Sequence, residues 1–308
     1  MVIAAYNAES TLSAALASVA AQSDPPGSVV VVDDGSADRT AEVARGWSDR
    51  LPVKVVSHGA NMGLAQARRS GIEATTEPLL AILDADDVWL PDHLSLMCST
   101  YTQRPGIITS DALRWMPEAG IGRARFRGPA SIPAPQHQRT AILTGNFVFI
   151  GVLLSREDYS AAGGFRDGLL GAEDWDLWIR MLRAGVVVTG STYPTVLYRV
   201  HRGGLSWGKQ QLENEVRVLD LALREVSRPD EVVAAKRGLR TLHARLSLVQ
   251  AYDRARAGDS RGARAAALRA LAGSRPITLR AAAMIVAPGA GVRLRDRLRW
   301  LPGVRLGR

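Results

Sequence analysis

Short apolar runs, each followed by polar turn residues and a segment of helical spacing, alternate through roughly the first 90 positions. The runs are Val2-Ile3-Ala4-Ala5, Val29-Val30-Val31-Val32, Val53-Lys54-Val55-Val56 and Leu79-Leu80-Ala81-Ile82-Leu83. The unbroken runs at 29–32 and 79–83 suit strands buried on both faces of a sheet, and 2–5 and 53–56 read as further strands. Between them, Ser10 to Ala21 places Leu12, Leu16 and Val19 on one helical face, and 38–47 and 64–74 read as helices. The order β-α-β-α-β-α-β predicts an α/β fold, a mostly parallel sheet flanked by helices.

The pattern loosens after residue 90. A helix is expected from Leu90 to Tyr101, a strand at Ile107-Ile108-Thr109, an apolar stretch at Val148 to Leu154, and strands at 186–188 and 196–198. Residues 116–139 mix Pro, Gly and Arg without period and read as a mobile insertion. Trp175, Trp178, Ile179 and Leu182 share one helical face, which leaves Glu173 and Asp174 at that helix's start; the tryptophans read as core, with stacking of one on a sugar face as the alternative. From Gln211 onward the chain reads as helical, with Leu239, Leu242, Leu246 and Val249 at helical spacing. A break at Gly258-Asp259-Ser260 sets off a further helix, Ala263 to Ala272, and the two helices make an αα-hairpin. The domain reading is 1–207, divided into 1–110 and 111–207, followed by a basic helical region over 208–308.

Charge separates the same two regions. The whole chain is +9, yet residues 234–308 hold 17 Lys+Arg against 3 Asp+Glu, a balance of +14, while residues 1–233 are at −5. The single cysteine, Cys98, allows no internal disulfide, which suits a reducing compartment and a cytoplasmic location. Met1-Val2-Ile3 enters a strand-like run without a basic leader region. No apolar run reaches the roughly 20 residues a membrane helix needs.

Candidate chemistry sits where the apolar runs end. Leu79 to Leu83 leads into Asp84-Ala85-Asp86-Asp87. Open α/β sheets place ligands at the carboxyl ends of their strands. Three acids there repel one another unless a cation lies among them, and a hard divalent ion accepts oxygen ligands while leaving positions for a phosphate. The same acids also suit a polar loop in which Asp87 caps the next helix. Val32 leads in the same way into Asp33-Asp34-Gly35-Ser36. No GxGxxG follows the first strand, so the dinucleotide fingerprint is absent.

Taken in order, Ala5-Tyr6-Asn7-Ala8-Glu9, Val32-Asp33-Asp34-Gly35-Ser36, Asn61-Met62-Gly63 with Ala67-Arg68, Asp84-Ala85-Asp86-Asp87 and Glu173-Asp174-Trp175 resemble the motifs of the family 2 glycosyltransferases with the GT-A (Rossmann-like) fold. The resemblance spans about residues 1–207. It departs at Ala4, where the family usually has Pro, and at Arg69, where Asn is common. It implies a nucleotide-sugar donor, UDP-sugar favoured, held with Mg²⁺ or Mn²⁺, and transfer with inversion to a glycan or lipid-linked acceptor in cell-surface polysaccharide synthesis. By resemblance, Asp33 accepts from the nucleobase, Tyr6 and Ala4 flank it, and Asn61 and Arg68 contact the nucleotide. Asp84 lies near the ribose, Asp86 binds the metal and Asp174 is the general base. His201, with Arg199 and Arg202, resembles a loop that meets metal or diphosphate in some members.

Other readings of the same residues stay open at this point. Asp33 and Asp34 fit a turn cap, Asp174 an acid at a helix N-terminus, and His201 a simple hydrogen-bonding residue. A sugar nucleotidyltransferase would need a Gly-rich phosphate loop and a lysine after strand one, which residues 4–12 lack. A non-catalytic basic protein is the third reading. No nucleic-acid-binding module is visible. Arg with Leu and Trp300 in the 276–308 segment suits instead an anionic membrane surface, hence a peripheral position at the inner face of the cell membrane.

Overall fold

The computed structural model describes residues 1–116, 118, 120–125, 132–169, 171–200, 209–271 and 275–288. His201, the 202–206 loop and the 289–308 part of the basic tail lie outside them. The chain divides into two compact units: Met1–Ile142 with Asn146–Gly203, and Leu143–Gly145 with Gly204–Arg308.

The first unit begins as the sequence pattern predicts. Strands β1 (Val2–Ala5), β2 (Val29–Asp33), β3 (Val53–Ser57) and β4 (Leu79–Asp84) alternate with helices α1 (Leu12–Ala20), α2 (Thr40–Arg45) and α3 (Leu64–Glu73). They pair in parallel in the order β3-β2-β1-β4. β1 and β2 are buried along their whole length, which explains why both read as continuous apolar runs. On one face Ile3, Val29 and Val31 pack with Leu12, Leu16 and Val19 of α1. On the other Ala4, Val30 and Val32 meet Ala67 of α3. Gly71 lets α3 approach closely, since a Cβ there would lie 2.4 Å from a Val2 methyl.

The sheet continues with mixed pairing through β5 (Val88–Trp89), β6 (Ile107–Met116), β7 (Gly120–Arg125), β8 (Val152–Ser155) and β9 (Val188–Arg199). β4 pairs antiparallel with β8, β8 with β6, β9 with β5 and β7 with β6, while β6 and β9 run parallel. Helices α4 (His93–Gln103), α5 (Pro135–Ala141), α6 (Arg156–Ala161) and α7 (Glu173–Arg183) complete the unit.

Several sequence expectations are corrected here. The 116–139 stretch is not simply an insertion: β7 pairs with β6 inside it. Helix α5 starts at Pro135, a favourable first-turn residue, and buried Gln138 bonds both Val188 N and O. The two short strands expected at 186–188 and 196–198 are one strand, β9, because its middle follows β6 through register shifts near Thr109 and Asp111. Asp87 caps no helix: the residue before α4 is Asp92, and Asp87 is buried upstream of it.

The second unit holds α8 (Lys209–Glu225), α9 (Pro229–Arg256), α10 (Ser260–Ala270) and α11 (Arg275–Val286). Asp259 caps α10 by accepting from the Gly262 amide. Ala263, Ala266, Ala267 and Ala270 of α10 pack against Ala244, Leu248 and Ala251 of α9 and Ala281 and Met284 of α11. Among the described residues no helix is long and apolar enough to cross a membrane.

Candidate active site

The exits of β1 and β2 are tied into one rim. Asn7 sits at φ 48°, a left-handed conformation that asparagine tolerates better than most residues. Its amide donates to Ser36 Oγ at 2.9 Å, and its Oδ1 accepts from the Ala37 amide at 2.9 Å. The Asp34 amide donates to the Ala5 carbonyl at 2.8 Å. Gly35, at φ 70°, comes so close to Ala60 that a Cβ would lie 2.4 Å from its carbonyl carbon. Only glycine suits that junction.

The two acids of this rim are used differently. Asp33 is buried at the end of β2, and its Oδ1 accepts from the Ser36 amide at 3.1 Å. Asp34 spends both oxygens on the next loop: Oδ1 on the Met62 amide at 2.9 Å and His58 Nδ1 at 2.7 Å, Oδ2 on the Gly63 amide at 2.8 Å. His58 Nε2 meets Ser70 Oγ at 3.0 Å, anchoring the loop to α3. Asp34 thus fixes the Asn61-Met62-Gly63 segment beside Asp33 and leaves Asn61 exposed. Tyr6 is 51 % exposed at the rim, whereas the Ala4 side chain is buried against Val32 and Ala67.

Arg68 is the centre of the site. It is only 2 % exposed. One terminal nitrogen binds Asp84 Oδ1 at 2.5 Å and the other binds Glu173 Oε1. Its guanidinium also lies over the Phe165 ring, 5.7 Å from the centroid. Burial opposes its charge, but Asp84, Glu173 and Asp174 outweigh burial and hold it above the usual arginine range. The fork therefore draws the end of β4 and the start of α7 together, although 105 residues separate Arg68 from Glu173.

Glu173 is 1 % exposed, and its Oε2 accepts from the Gly171 amide at 3.1 Å. Burial pushes its carboxyl up to about 7; Arg68 opposes that shift and neighbouring Asp174 adds to it. Asp174, next along α7, is half-buried. Its Oδ1 accepts from the Trp175 amide at 2.7 Å and its Oδ2 from Asn146 Nδ2 at 3.3 Å. The α7 start is fixed from below by Trp175, buried with its indole donating to the Ile142 carbonyl at 2.8 Å, and by fully buried Trp178.

On the other side of the 84–87 turn, Arg199 at the end of β9 holds Asp86 and Asp87. Its amide donates to Asp87 Oδ1 at 2.9 Å, its Nε to the Asp86 carbonyl at 2.8 Å, and its guanidinium stacks 4.0 Å from the Trp115 ring centroid. Asp87 is buried. Burial first, then Asp84 and Asp86, drive its carboxyl well above the ordinary range. Asp84 and Asp86 add to the effect of burial, and a divalent cation beside them would relieve that added part.

The residues fit such an ion. Half-buried Asp86 supplies hard oxygen donors beside Asp84 and Asp87. Among the described residues no cluster of three His, Cys, Asp or Glu closes a complete cation cage. Asp86 with a neighbouring acid would offer Mg²⁺ or Mn²⁺ one or two carboxylate donors, with a phosphate taking further positions.

Of the residues singled out in the sequence, Arg68 and Asp84 are joined in the fork, whose other arm is Glu173 and not Asp174 beside it, and Asp86 and Arg199 meet at the turn. Asp33, Tyr6 and Asn61 line the adjoining rim; His201 lies outside the described residues. The sequence alone assigns no site role to Asn7, His58 and Glu173, and gives Asp34 only as a turn cap. The signal for Asp34 and Glu173 was their place beside an assigned acid. For Asn7 and His58 nothing local marks the tertiary bonds they make.

Residues 1–124 match the family model described as Glycosyl transferase family 2. The chain is 27 % identical over 235 residues to the amylovoran biosynthesis glycosyltransferase AmsE of Erwinia amylovora, covering 73 % of this chain and 86 % of that one. It is 31 % identical over 198 residues to the succinoglycan biosynthesis protein ExoU of Rhizobium meliloti (strain 1021), covering 60 % of this chain but only 57 % of that relative. S. aureus TarS 1–349, solved in complex with UDP-GlcNAc, superposes with TM-score 0.63 at 16 % identity, covering 96 % of this chain and 90 % of that one. The mannosyltransferase PcManGT from Pyrobaculum calidifontis, solved in complex with GDP-Man and Mn²⁺, gives 0.61 at 20 % identity, covering 97 % and 87 %. At these identities the two structures speak for the fold, which is of the GT-A kind.

Proposed function

The chain belongs to glycosyl transferase family 2, and on that premise we propose that it transfers a sugar, with inversion, from a nucleotide-diphospho-sugar to a glycan or lipid-linked acceptor in bacterial polysaccharide synthesis. The observation that carries this reading is the Arg68 fork, because it sets a carboxylate on α7 beside the acids that end β4. The relatives named for amylovoran and succinoglycan biosynthesis support the product class. A uridine nucleotide is the donor to try first, since TarS is solved with UDP-GlcNAc.

The nucleoside lies in the rim formed by Tyr6, Asp33 and Asn61, where Asp33 accepts from the base. Asp84 faces the ribose while Arg68 holds it in place. Asp86 would hold the divalent ion, which neutralises charge developing on the leaving diphosphate. Arg199, fixed by Asp87 and Trp115, adds fixed positive charge on the same side. Asp174 takes the proton of the attacking hydroxyl, a contribution of about 10²–10⁴-fold. Hydrogen bonds from Asn146 and the Trp175 amide hold the Asp174 carboxylate in place at the start of α7 for that role.

The test is a panel of nucleotide-sugars, with and without Mn²⁺, scored by thermal shift and donor hydrolysis. Asp86→Ala should abolish the Mn²⁺-dependent part of the nucleotide shift. Asp174→Asn should keep that shift and lose transfer. Full transfer by Asp174→Asn places the base elsewhere, and an unchanged Mn²⁺ effect in Asp86→Ala removes the metal role.

A further inference from the structure

Helix α10 carries a face that nothing in the transfer chemistry uses. Its inward side is all alanine, and the opposite side exposes Arg261, Arg264, Leu268 and Arg269, with Leu271 just beyond the helix. Leu268 is 56 % exposed. Arg264 Nε donates to the Ile285 carbonyl at 3.0 Å, which brings the end of α11 to this face. The next residue, Val286, is 78 % exposed. A single exposed leucine means little. Here the apolar residues share a surface with three arginines.

The charge pattern separates this face from an ordinary solvated one. Residues 260–286 contain five arginines and no Asp or Glu. By contrast α8 mixes Lys209, Arg217 and Arg224 with Glu213, Glu215, Asp220 and Glu225, the intermingling expected of a surface that meets only water. The carboxylate just before α10, Asp259, is taken up by the Gly262 amide and Arg254. A face of one sign, with leucine and valine among arginines, is complementary to a plane of anionic headgroups over acyl chains, where arginine stems can lie along the apolar layer.

We propose that the α10–α11 face formed by Arg261, Arg264, Leu268, Arg269 and Val286 docks the protein on anionic phospholipid. The surface is argued independently of sugar transfer, so a vesicle result leaves the catalytic reading standing.

The test is flotation of the full chain with phosphatidylcholine vesicles, with and without phosphatidylglycerol, at low and high salt. Binding should require phosphatidylglycerol and weaken with salt. At about five-fold per arginine, Arg261→Gln with Arg264→Gln and Arg269→Gln should weaken it on the order of a hundredfold. Lys236→Gln with Arg237→Gln and Arg240→Gln removes the same charge from exposed positions in the N-terminal half of α9 and should retain most binding. Leu268→Ser should weaken binding without changing the salt dependence. Far-UV circular dichroism checks that each variant is folded. Equal loss in both triple variants would overturn the proposal in favour of diffuse net charge. Full flotation by the α10 variant, or flotation lost only on deleting 289–308, would also overturn it. So would a dimer broken by Leu268→Ser without vesicle binding, which would assign the face to a second copy.

Discussion

Replacing Glu173 by Gln tests whether burial or the Arg68 ion pair dominates at the centre of the site. Burial lifts the Glu173 carboxyl from 4.5 to about 7 against the pull of Arg68. The folded value lies above the unfolded one, so the folded chain holds an extra proton between them and stability falls as pH rises through that window. At 1.36 kcal/mol per pH unit the loss is about 3 kcal/mol, complete slightly above neutrality. Glutamine is neutral like the protonated acid and its Oε1 can still accept from Arg68, but its NH2 cannot accept from the Gly171 amide, a fixed cost at every pH. Near the lower end of the window the variant should therefore be the less stable by that lost hydrogen bond, on the order of 1 kcal/mol. The variant should gain about 3 kcal/mol on the wild type by the upper end. Urea unfolding followed by tryptophan fluorescence reads the right region, since Trp175 and Trp178 are buried in the same helix. A stability difference that stays flat with pH would refute the reasoning. One that grows in favour of glutamate would show that Arg68 holds Glu173 as a carboxylate after all.

Arg68→Ala should destabilise by about 3–5 kcal/mol in the same assay, because it strands two acids, one of them buried, without their partner. Arg68→Lys should recover little, since a single ammonium cannot reproduce the fork. Asp34→Ala removes the acceptor for Met62 N, Gly63 N and His58. It should raise KM for the donor more than it lowers kcat, with Asp34→Asn partly restoring it; an unchanged KM would deny the loop a part in donor binding. His93 is buried, stacked on Trp89 and bonded to Thr195 Oγ1 at 2.7 Å, with burial holding its ring value down to about 3. Stability tied to its neutral form is present above about pH 6.5 and lost as pH falls toward 3, up to about 5 kcal/mol. A His93→Gln variant should show a correspondingly shallower acid limb in unfolding followed by circular dichroism.

The parallel half of the sheet was legible because burial on both faces writes an unmistakable string: Val29 to Val32 admits no amphipathic alternative. The second half was not, because antiparallel and edge strands there carry mixed sequences whose pairing is decided by distant partners. β9 runs through Tyr193 and Pro194, and only its ladder with β6 makes it one strand. β7, Gly-Ile-Gly-Arg-Ala-Arg, carries no pattern that marks it as extended. The acids at strand ends were visible as types in places; their employment was not. Asp33 and Asp34 are adjacent and identical in sequence, yet one is left facing the rim while the other is consumed by three donors. That difference depends on where 58–63 folds back, which spacing does not encode.

The same division of labour orders the 84–87 turn. Three carboxylates lie within four residues, and each meets a different fate: Asp84 is answered by a buried guanidinium, Asp87 by a backbone amide and its own protonation tendency, and Asp86 stays half-buried with its carbonyl held by Arg199. Mutual repulsion alone would let all three share the strain. Instead Arg68 and Arg199 take up the flanking acids from opposite sides and hold the turn rigid around the carboxylate between them. A ligand that brings its own phosphate oxygens to a cation needs that arrangement: one pre-positioned donor, and neighbours already committed so that they do not rotate in to close the shell. On this view Arg68 acts in the site by restraint, and the cost of burying it is offset by the two acids it joins.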